Sequence, residues 1–326
     1  MSGTVNSTAL STLEVFPMRP WILFSYCIIS VAGIVGNMFV ILVISRHEDI
    51  GAPSFRIYII SLAIADFFVT LFCIPIYITS ISNFHNHPTG LSGKIMCKLL
   101  SGYTFPFHFA RINIFVMVAI SVQRYYAICK PLSPMANPSP RKAKLVVCGI
   151  WLGSIFLLLH RIICLEYARN DEATVGAHCK FKSVFKTKVT PKVIYMLTTM
   201  IEFIIPIGVM MFCFVKVKKS IANQLHSIKV QEVSSPEHEF KRVHSRQQAV
   251  VTVFIVVVSF VILLTPNQIH YFCFNFEVYH TSWNSNLYQT TVVLYFFTSC
   301  INPVIYVFRS KLFRVKLRET LLCWRS

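Results

Sequence analysis

Polar side chains interrupt several long apolar runs of this sequence, and they are the residues that could do chemistry. Asp66 is an ionisable residue inside the run SLAIADFF. A charge there is costly unless it faces a cavity or a partner. With amide and hydroxyl oxygens nearby, its carboxylate could bind a small hard cation or a titrating proton. Interhelical hydrogen bonds that only hold helices together are the alternative. Other polar residues in such runs include Asn37, Asn113, Thr298, Ser299 and Asn302.

A second reactive feature lies where an apolar run ends, in VAISVQRYYAICKPL at residues 118–132. Here Arg124 follows the neutral Gln123. A guanidinium is permanently charged and can exchange one set of hydrogen-bond partners for another.

Apolar segments of sufficient length must carry these residues through about 30 Å of hydrocarbon. The sequence is 55% hydrophobic and 13% charged, which is more apolar than one soluble core could bury. We predict seven spanning helices in an all-α membrane protein. They are predicted at residues 22–45, 57–80, 96–120, 143–165, 193–215, 249–274 and 288–307.

Basic residues indicate how these segments are oriented. The stretches on the side of the C-terminus carry 20 lysines and arginines, against nine on the other side. The positive-inside rule therefore predicts an extracellular N-terminus, with the first helix as insertion signal. The sequon at Asn6 agrees with this orientation as a glycosylation site. The net charge of +18 is spread between apolar runs, so we predict membrane lipids and no nucleic acid as partners.

Cysteines fit the same orientation. Most lie inside the predicted helices, where a small buried apolar side chain is the ordinary interpretation. Cys97 and Cys179 instead face the oxidising side and could staple the long outer loop over the bundle. A second bridge that involves Cys164 or Cys273 stays open.

Together these features resemble a rhodopsin-like (class A) G-protein-coupled receptor, over the whole chain. The residues that carry the resemblance are Gly36-Asn37, the LAIAD run to Asp66, Cys97 with Cys179, Arg124-Tyr125, Trp151, Pro206, Pro266 and Asn302-Pro303-Val304-Ile305-Tyr306. The resemblance implies an extracellular tail at 1–20, a seven-transmembrane receptor domain at 21–308, and a cytoplasmic amphipathic helix with a short tail at 309–326. It also implies a disulfide between Cys97 and Cys179.

The resemblance implies roles in activation for further residues. Arg124 would receive the tail of a heterotrimeric G protein once the sixth helix swings outward, and Pro131-Leu132 would contact the same partner. Ile114, Pro206 and Phe260 match a core trio that repacks on activation, and Tyr306 matches an inward-moving hydroxyl. The cluster of Asp66, Asn113, Ser299 and Asn302 matches an allosteric sodium site, the one cofactor considered.

Departures from the family pattern are as informative as the matches. Gln123 stands where an acid is usual, and Arg246 stands where the sixth helix often carries one, so neither resting ion pair forms. Phe214 replaces a tyrosine, and Leu264 replaces a tryptophan. We therefore predict raised basal signalling.

The sequence restricts the class of ligand mainly by excluding two kinds of ligand chemistry. Pro106 occupies the position of the amine-binding aspartate, and Phe296 that of the retinal-linking lysine, so neither chemistry is available. Pro106 also predicts a bulge or kink in the third helix. The sequence features most resemble the peptide-receptor branch; a lipid or small anionic ligand is the alternative. The resemblance assigns these residues to the pocket: Phe107, His108, Arg111, Glu202, Gln268 and Tyr271.

Arg111 and Glu202 are the two charges that the resemblance puts on facing sides of the pocket floor. Either they form a structural ion pair, or they anchor a charged group of the ligand. Both alternatives stay open.

The segments outside the spans add little machinery. Residues 216–248 are too short for an inserted enzyme domain. After the seventh span, an apolar stripe opposite basic residues predicts a membrane-surface helix, with Cys323 as a palmitoylation site. The tail ends at Ser326 with few hydroxyls, which provides little for arrestin capture.

Other function classes lack their sequence features. A secondary transporter would show an internal repeat with paired discontinuous helices. An enzyme would need a nucleophile, an acid-base pair or a metal set in one pocket. Neither pattern is present, so we predict a plasma-membrane signalling receptor and no enzyme.

Overall fold

The computed structural model describes residues 12–13, 20–81, 90–101, 103–168, 178–181, 189–230, 236–278 and 285–322. The helices are α1 (Pro20–Arg46), α2 (Pro53–Ile81), α3 (Gly90–Met96), α4 (Thr104–Cys129), α5 (Pro140–Cys164), α6 (Val189–Thr199), α7 (Ile205–Val230), α8 (Pro236–Asn275), α9 (Asn286–Arg309) and α10 (Lys311–Leu322). A π-helical turn at Cys97–Ser101 follows α3, and another at Met200–Ile204 lies between α6 and α7.

Proline and serine explain where several of these helices begin. The helices α1, α2, α5 and α8 each start on a proline. A proline fits the first position because the N–H groups of the first turn lack an intrahelical partner. In α9 the Ser285 side chain is the N-cap and accepts a hydrogen bond from the Tyr288 N–H.

Seven helical stretches within the described residues are long and apolar enough to cross a membrane, which confirms the predicted number of spans. The third span contains α3 and α4, and the fifth contains α6 and α7. The third span is central in the bundle, because 67% of the residues in its most apolar stretch are buried. In the fourth span the corresponding share is 17%. The central helix α4 therefore carries the largest share of buried polar residues.

The predicted helix ends were wrong at the basic side of the bundle. The third helix continues to Cys129, and the fifth continues to Val230. The sixth begins at Pro236, so most of the stretch that was predicted as a loop at 216–248 is helical. Hydropathy detects only the part of a helix that lipid surrounds, whereas the backbone hydrogen bonds continue into water.

The third span is interrupted where the sequence predicted a bulge. After the π turn at Cys97–Ser101, Tyr103 has a φ of 52°, and α4 begins at Thr104. The irregularity lies just before Pro106 because that residue can occupy the first turn of a new helix but not its interior.

A small antiparallel sheet covers the end of the bundle where the outer loop lies. Strands β2 (Leu165–Ala168) and β3 (His178–Phe181) pair with each other, and β1 (Thr12–Leu13) adds to the free edge of β3. The register pairs Tyr167 with Cys179 and Leu13 with Cys179 on the two edges. The sequence predicted a stapled loop here but no strands.

The last helix, α10, lies against the loop between α1 and α2 at the opposite end. Phe313 is buried in the main apolar core and its ring lies 6.0 Å from that of Tyr306. Lys316 Nζ lies 3.2 Å from Asp49 Oδ2, and His47 Nε2 lies 3.1 Å from Thr320 Oγ1. This arrangement agrees with the amphipathic helix predicted after the seventh span.

Candidate functional site

Arg124 lies near the end of α4 that is on the same side of the bundle as α10. Among the described residues, no acidic side chain lies within ion-pair distance of its guanidinium. Its guanidinium carbon stacks 3.7 Å from the centre of the Phe55 ring on α2. Its Nε has no hydrogen-bond partner in the described part of the chain. A cation held over an aromatic face is restrained by about 0.5 to 2 kcal/mol and keeps its N–H groups available.

Gln123 is hydrogen-bonded to α2. Its Nε2 donates a hydrogen bond of 2.6 Å to Ser54 Oγ, and both residues are buried. The amide thus links α4 to the start of α2, next to the ring that Arg124 covers. In place of an ion pair between these neighbours, Gln123 makes a hydrogen bond to Ser54 and Arg124 makes a cation–π contact with Phe55.

A cavity of about 150 Å³ opens beside Arg124 at this end of the bundle. Its walls come from α1, α2, α4, α8, α9 and α10 and are mainly apolar. The polar residues that line it are Arg124, Thr252, Tyr306 and Ser310. Arg124 and Tyr306, two residues that the sequence singled out separately, thus share one cavity.

The predicted core trio lies above this cavity. Ile114, Pro206 and Phe260 are all buried, and Ile114 and Phe260 belong to the same apolar core. Leu264, one turn further along α8, is buried as well. The Phe214 ring, which has no hydroxyl to offer, stacks on Phe254 of α8 with ring centres 3.5 Å apart.

Close helix approach fixes the seventh span next to the first. A Cβ at Gly36 would lie 3.0 Å from two Pro303 ring carbons, so the glycine is what lets the proline come this near. Asn37 Nδ2 donates to the Ser299 carbonyl at 2.9 Å. These contacts bring the Asn302 end of α9 towards Asp66.

Asp66 is fully buried and accepts two amide hydrogen bonds. Asn113 Nδ2 donates to Oδ1 at 2.5 Å, and Asn302 Nδ2 donates to Oδ2 at 2.7 Å. Ser299 interacts with the same carboxylate, although its Oγ makes no fully formed hydrogen bond. The four residues that were predicted to form one polar cluster therefore do so.

The cluster also has unused oxygen atoms, which are the donors a hard cation prefers. Asn113 Oδ1 and Asn302 Oδ1 are buried and have no hydrogen-bond partner in the described residues. The donor set of one carboxylate, two amide oxygens and a hydroxyl fits Na⁺ better than a transition metal. Within the described residues, no group of three or more His, Cys, Asp or Glu side chains could hold a metal.

Arg111 and Glu202, which the resemblance puts on facing sides of the pocket floor, form an ion pair. Arg111 Nε lies 2.9 Å from Glu202 Oε1, with Glu202 supplied by the π turn at Met200–Ile204. The side chains are 9% and 24% exposed. His108, one turn earlier on α4, is buried and hydrogen-bonds to the backbone of Ser154.

The other predicted pocket residues lie near the hairpin end of α4, α8 and α9. The Phe107 ring lies 4.9 Å from that of Tyr295. The Tyr271 hydroxyl lies 3.4 Å from that of Tyr288. The Gln268 carbonyl accepts a hydrogen bond of 3.2 Å from the Tyr195 hydroxyl. Phe107 and Tyr271 therefore each contact a tyrosine of α9, whereas Gln268 takes part only through its backbone carbonyl.

The loop after α4 presents its predicted contact residues. Pro131 and Leu132 are exposed, with Leu132 at 100%. Tyr125 packs against the small apolar cluster of Ile128, Val217 and Ile221, which joins α4 to α7.

Several predicted sites fall outside the described residues. These are the glycosylation site Asn6, the lipidation site Cys323 and the side chain of Cys179. Cys97 is disulfide-bonded, and its Sγ lies 3.6 Å from the Glu166 carbonyl oxygen in β2. Its pairing with Cys179 stays a prediction. Cys273 is a free thiol, so it forms no second bridge.

Sequence reasoning missed Ser54 and Phe55. Both lie at the start of α2 and provide the contacts of Gln123 and Arg124. A serine and a phenylalanine at a helix start are common, so no pattern in the sequence marks them.

Comparison with known proteins gives one family. The profile described as "7 transmembrane receptor (rhodopsin family)" matches residues 36–306. Somatostatin receptor type 1 of Rattus norvegicus is 28% identical over 302 residues, which cover 92% of this chain and 72% of the relative. The [Phe13]-bombesin receptor of Bombina orientalis is 24% identical over 318 residues, covering 93% and 76%. Neuromedin-U receptor 2 of Mus musculus is 25% identical over 310 residues, covering 90% and 73%.

A solved structure shares the fold. The crystal structure of squid rhodopsin superposes with a TM-score of 0.74 at 20% identity, over 92% of this chain and 84% of the other. At this identity the likeness concerns the fold alone.

Proposed function

Because the chain belongs to the rhodopsin family of seven-transmembrane receptors, we propose that it binds an extracellular peptide and activates a heterotrimeric G protein. Receptors named for somatostatin, bombesin and neuromedin-U are among its relatives, which favours a peptide over a lipid or a small anion. The receptor acts in the plasma membrane with its N-terminus outside. No enzymatic activity is proposed.

The observation that carries the G-protein part is the environment of Arg124. Its guanidinium lines a cavity of about 150 Å³ at the end of the bundle, and stacking on Phe55 holds it in the absence of an acidic partner. Stacking is exchanged at little cost when a peptide tail with backbone carbonyls enters, because Arg124 keeps free donors. Tyr306 in the same cavity supplies a second polar contact. The exposed Pro131 and Leu132 extend the same surface.

The Asp66 cluster would hold a sodium ion through oxygen atoms of Asp66, Asn113, Ser299 and Asn302. The ion would supply a positive charge to an otherwise uncompensated buried carboxylate. The chain's own residues then serve as ligands by turning their amide oxygens towards Asp66.

Two further partners are proposed. The basic side chains and exposed leucines of α10 suit an anionic lipid surface. Arrestin is proposed as a second such partner, on family membership alone.

The decisive experiment is expression of the full chain with a panel of Gα sensors, first without ligand and then with a peptide library. We expect coupling to at least one Gα without ligand and a further rise with one peptide. Arg124→Leu, matched for surface expression, should abolish both responses. A full chain at the cell surface that couples to no Gα, or an ion current in cells without G proteins, would refute the proposal.

A further inference from the structure

The ion pair between Arg111 and Glu202 joins the two spans that also carry the core trio. Arg111 precedes Ile114 by one turn of α4, and Glu202 precedes Pro206 by about one turn. Arg111 Nε lies 2.9 Å from Glu202 Oε1, and Arg111 is 8% exposed. A charge pair in this position costs much desolvation free energy and contributes little net stability.

The contact leaves the hydrogen-bonding capacity of Arg111 largely unused. Both its Nε and its Nη1 lack a hydrogen bond within the described residues, so the close approach to Glu202 is an ion pair without a well-directed N–H···O bond. A guanidinium has five N–H donors that match both oxygens of a carboxylate. The pair as it stands uses this geometry poorly.

Neighbouring side chains add further unused polar atoms. His108, one turn earlier on α4, interacts electrostatically with Arg111, and its Nδ1 has no partner among the residues described. The Ser154 hydroxyl of α5 is 1% exposed and is also without a partner in that part of the chain. Arg111 and His108 on α4 and Ser154 on α5 therefore keep buried polar atoms that have no partner among the described residues.

We propose that Arg111 is the anchor for a carboxylate group of the extracellular ligand, and that Glu202 occupies this anchor in the ligand-free receptor. The proposal rests on the receptor function proposed above and names the chemistry of its ligand. A ligand carboxylate replaces the Glu202 carboxylate on the guanidinium with two directed hydrogen bonds. The Glu202 side chain is 24% exposed, so it is less enclosed than Arg111 at 9%.

Exchange at this pair acts on the trio because the same two helices carry both. When Arg111 changes its partner, the tie between α4 and the π turn before α7 is released. Ile114 and Pro206, one turn further along these helices, are then free to repack against Phe260. The ligand's carboxylate thus reaches the residues that the family resemblance implicates in activation.

The test removes the internal carboxylate and replaces it with a small one in solution. Purified Glu202→Ala receptor leaves a gap beside Arg111 that accepts acetate. We expect sodium acetate, compared with sodium chloride at equal ionic strength, to raise the Tm of Glu202→Ala by about 2 to 4 °C once acetate is well above its Kd. The wild type should shift by less, because its tethered Glu202 competes at a high effective concentration.

The control is the double variant Arg111→Gln/Glu202→Ala, in which the acetate effect should vanish. If Glu202→Ala is too unstable to purify, Glu202→Ser leaves a smaller gap and allows the same comparison. An equal shift in the single and double variants, or no shift in either Glu202 variant, overturns the proposal. Because the readout is thermal stability, this failure is distinct from a failure to couple to a G protein.

Discussion

At the scale of single residues, the environment of Arg124 differs from what an acidic neighbour would create. The Gln123 amide donates a hydrogen bond to Ser54, and the Arg124 guanidinium stacks on the Phe55 ring. Neither interaction brings a full negative charge to the guanidinium. The resting position of Arg124 is therefore held by a weaker restraint than an ion pair would provide.

The substitution Gln123→Glu tests this restraint. A carboxylate at this position adds a charge next to Arg124, and about 1 kcal/mol of added resting-state stability lowers the active fraction roughly fivefold. We expect agonist-free Gα signalling to fall at equal surface expression. Gln123→Met, which is similar in length and uncharged, should not lower it. An unchanged or higher baseline in Gln123→Glu would count against weak restraint.

The substitution Asp66→Asn tests the buried cluster. In Asp66→Asn an NH₂ group replaces one of the two oxygens that accept from Asn113 and Asn302, so one donor loses its acceptor at a cost of about 1 to 3 kcal/mol in the free energy of unfolding. We expect the wild-type Tm to be higher in sodium chloride than in choline chloride, and this difference to disappear in Asp66→Asn. Asn267→Ala removes a different buried hydrogen bond, to Thr291, and should lower Tm while keeping the sodium effect. A sodium effect that persists in Asp66→Asn would exclude the site.

Which of these residues could be predicted depended on how unusual each one is in its surroundings. Asp66, Arg111 and Glu202 stand out as charges in apolar runs, and the structure brings each to the partners that were expected. Phe55 could not be predicted as a partner of Arg124, because a phenylalanine in an apolar run has many equivalent roles. Its contact depends on the rotation of α2 relative to α4, which the sequence alone does not specify.

At the scale of helices, the number of spans followed from hydropathy, but their ends did not. The helices α7 and α8 continue beyond their apolar parts into polar residues. Polar residues such as Lys, Gln and Glu favour a helix in water about as much as Leu does. The hairpin of β2 and β3 was also missed, because two four-residue strands are too short to show an alternating pattern. Contacts between helices, in contrast, often depend on single small residues.

Gly33 on α1 is such a residue. A Cβ at this position would overlap the Thr70 side chain of α2, so Gly33→Ala forces the two helices apart. We expect a loss of about 1 to 3 kcal/mol in the free energy of unfolding, measured as a lower Tm of the purified receptor. Thr70→Ser, which removes the overlapping methyl group, should partly restore it. Gly153→Ala on α5 meets nothing within 4 Å and should leave Tm unchanged or slightly higher.

The contact of Lys316 on α10 with Asp49 in the loop between α1 and α2 should depend on pH only at the extremes. The hydrogen bond from Lys316 lowers the pKa of the Asp49 carboxyl. Its contribution is therefore present above the ordinary aspartate value of about 3.9 and is lost as the pH falls through the lowered pKa. Hydrogen bonds to Glu319 and to Asp49 raise the pKa of Lys316, so that contribution is lost only as the pH rises past about 10.4.

We accordingly expect a constant distance between spin labels at Met135 and Arg318 from about pH 5 to pH 9, and a broader distribution in acid. Lys316→Met should broaden it at neutral pH. Because the contact is solvent-exposed, high salt should produce a partial version of the same change. A transition near neutral pH in the wild type would show that a different titrating group holds α10.

At the scale of the whole molecule, the two ends of the bundle carry different machinery. One end has the disulfide-bonded Cys97 beside the hairpin, and the other has Arg124, its cavity and α10. Asp66 and the pair of Arg111 and Glu202 lie along the helices between them. Signal transfer from ligand to G protein requires that the hairpin end face outward, as the distribution of basic residues predicts.

This orientation is tested with an epitope tag at each terminus of the full chain. An antibody should detect the N-terminal tag on intact cells and the C-terminal tag only after permeabilisation, because 20 of the basic residues lie in stretches on the C-terminal side and nine on the other. An N-linked glycan at Asn6 requires the same orientation. Glycosidase treatment should therefore increase the electrophoretic mobility of the wild type and leave that of Asn6→Gln unchanged. Detection of the N-terminal tag only after permeabilisation would reverse the bundle and put Arg124 outside the cell. No coupling to a G protein could then occur through the Arg124 cavity.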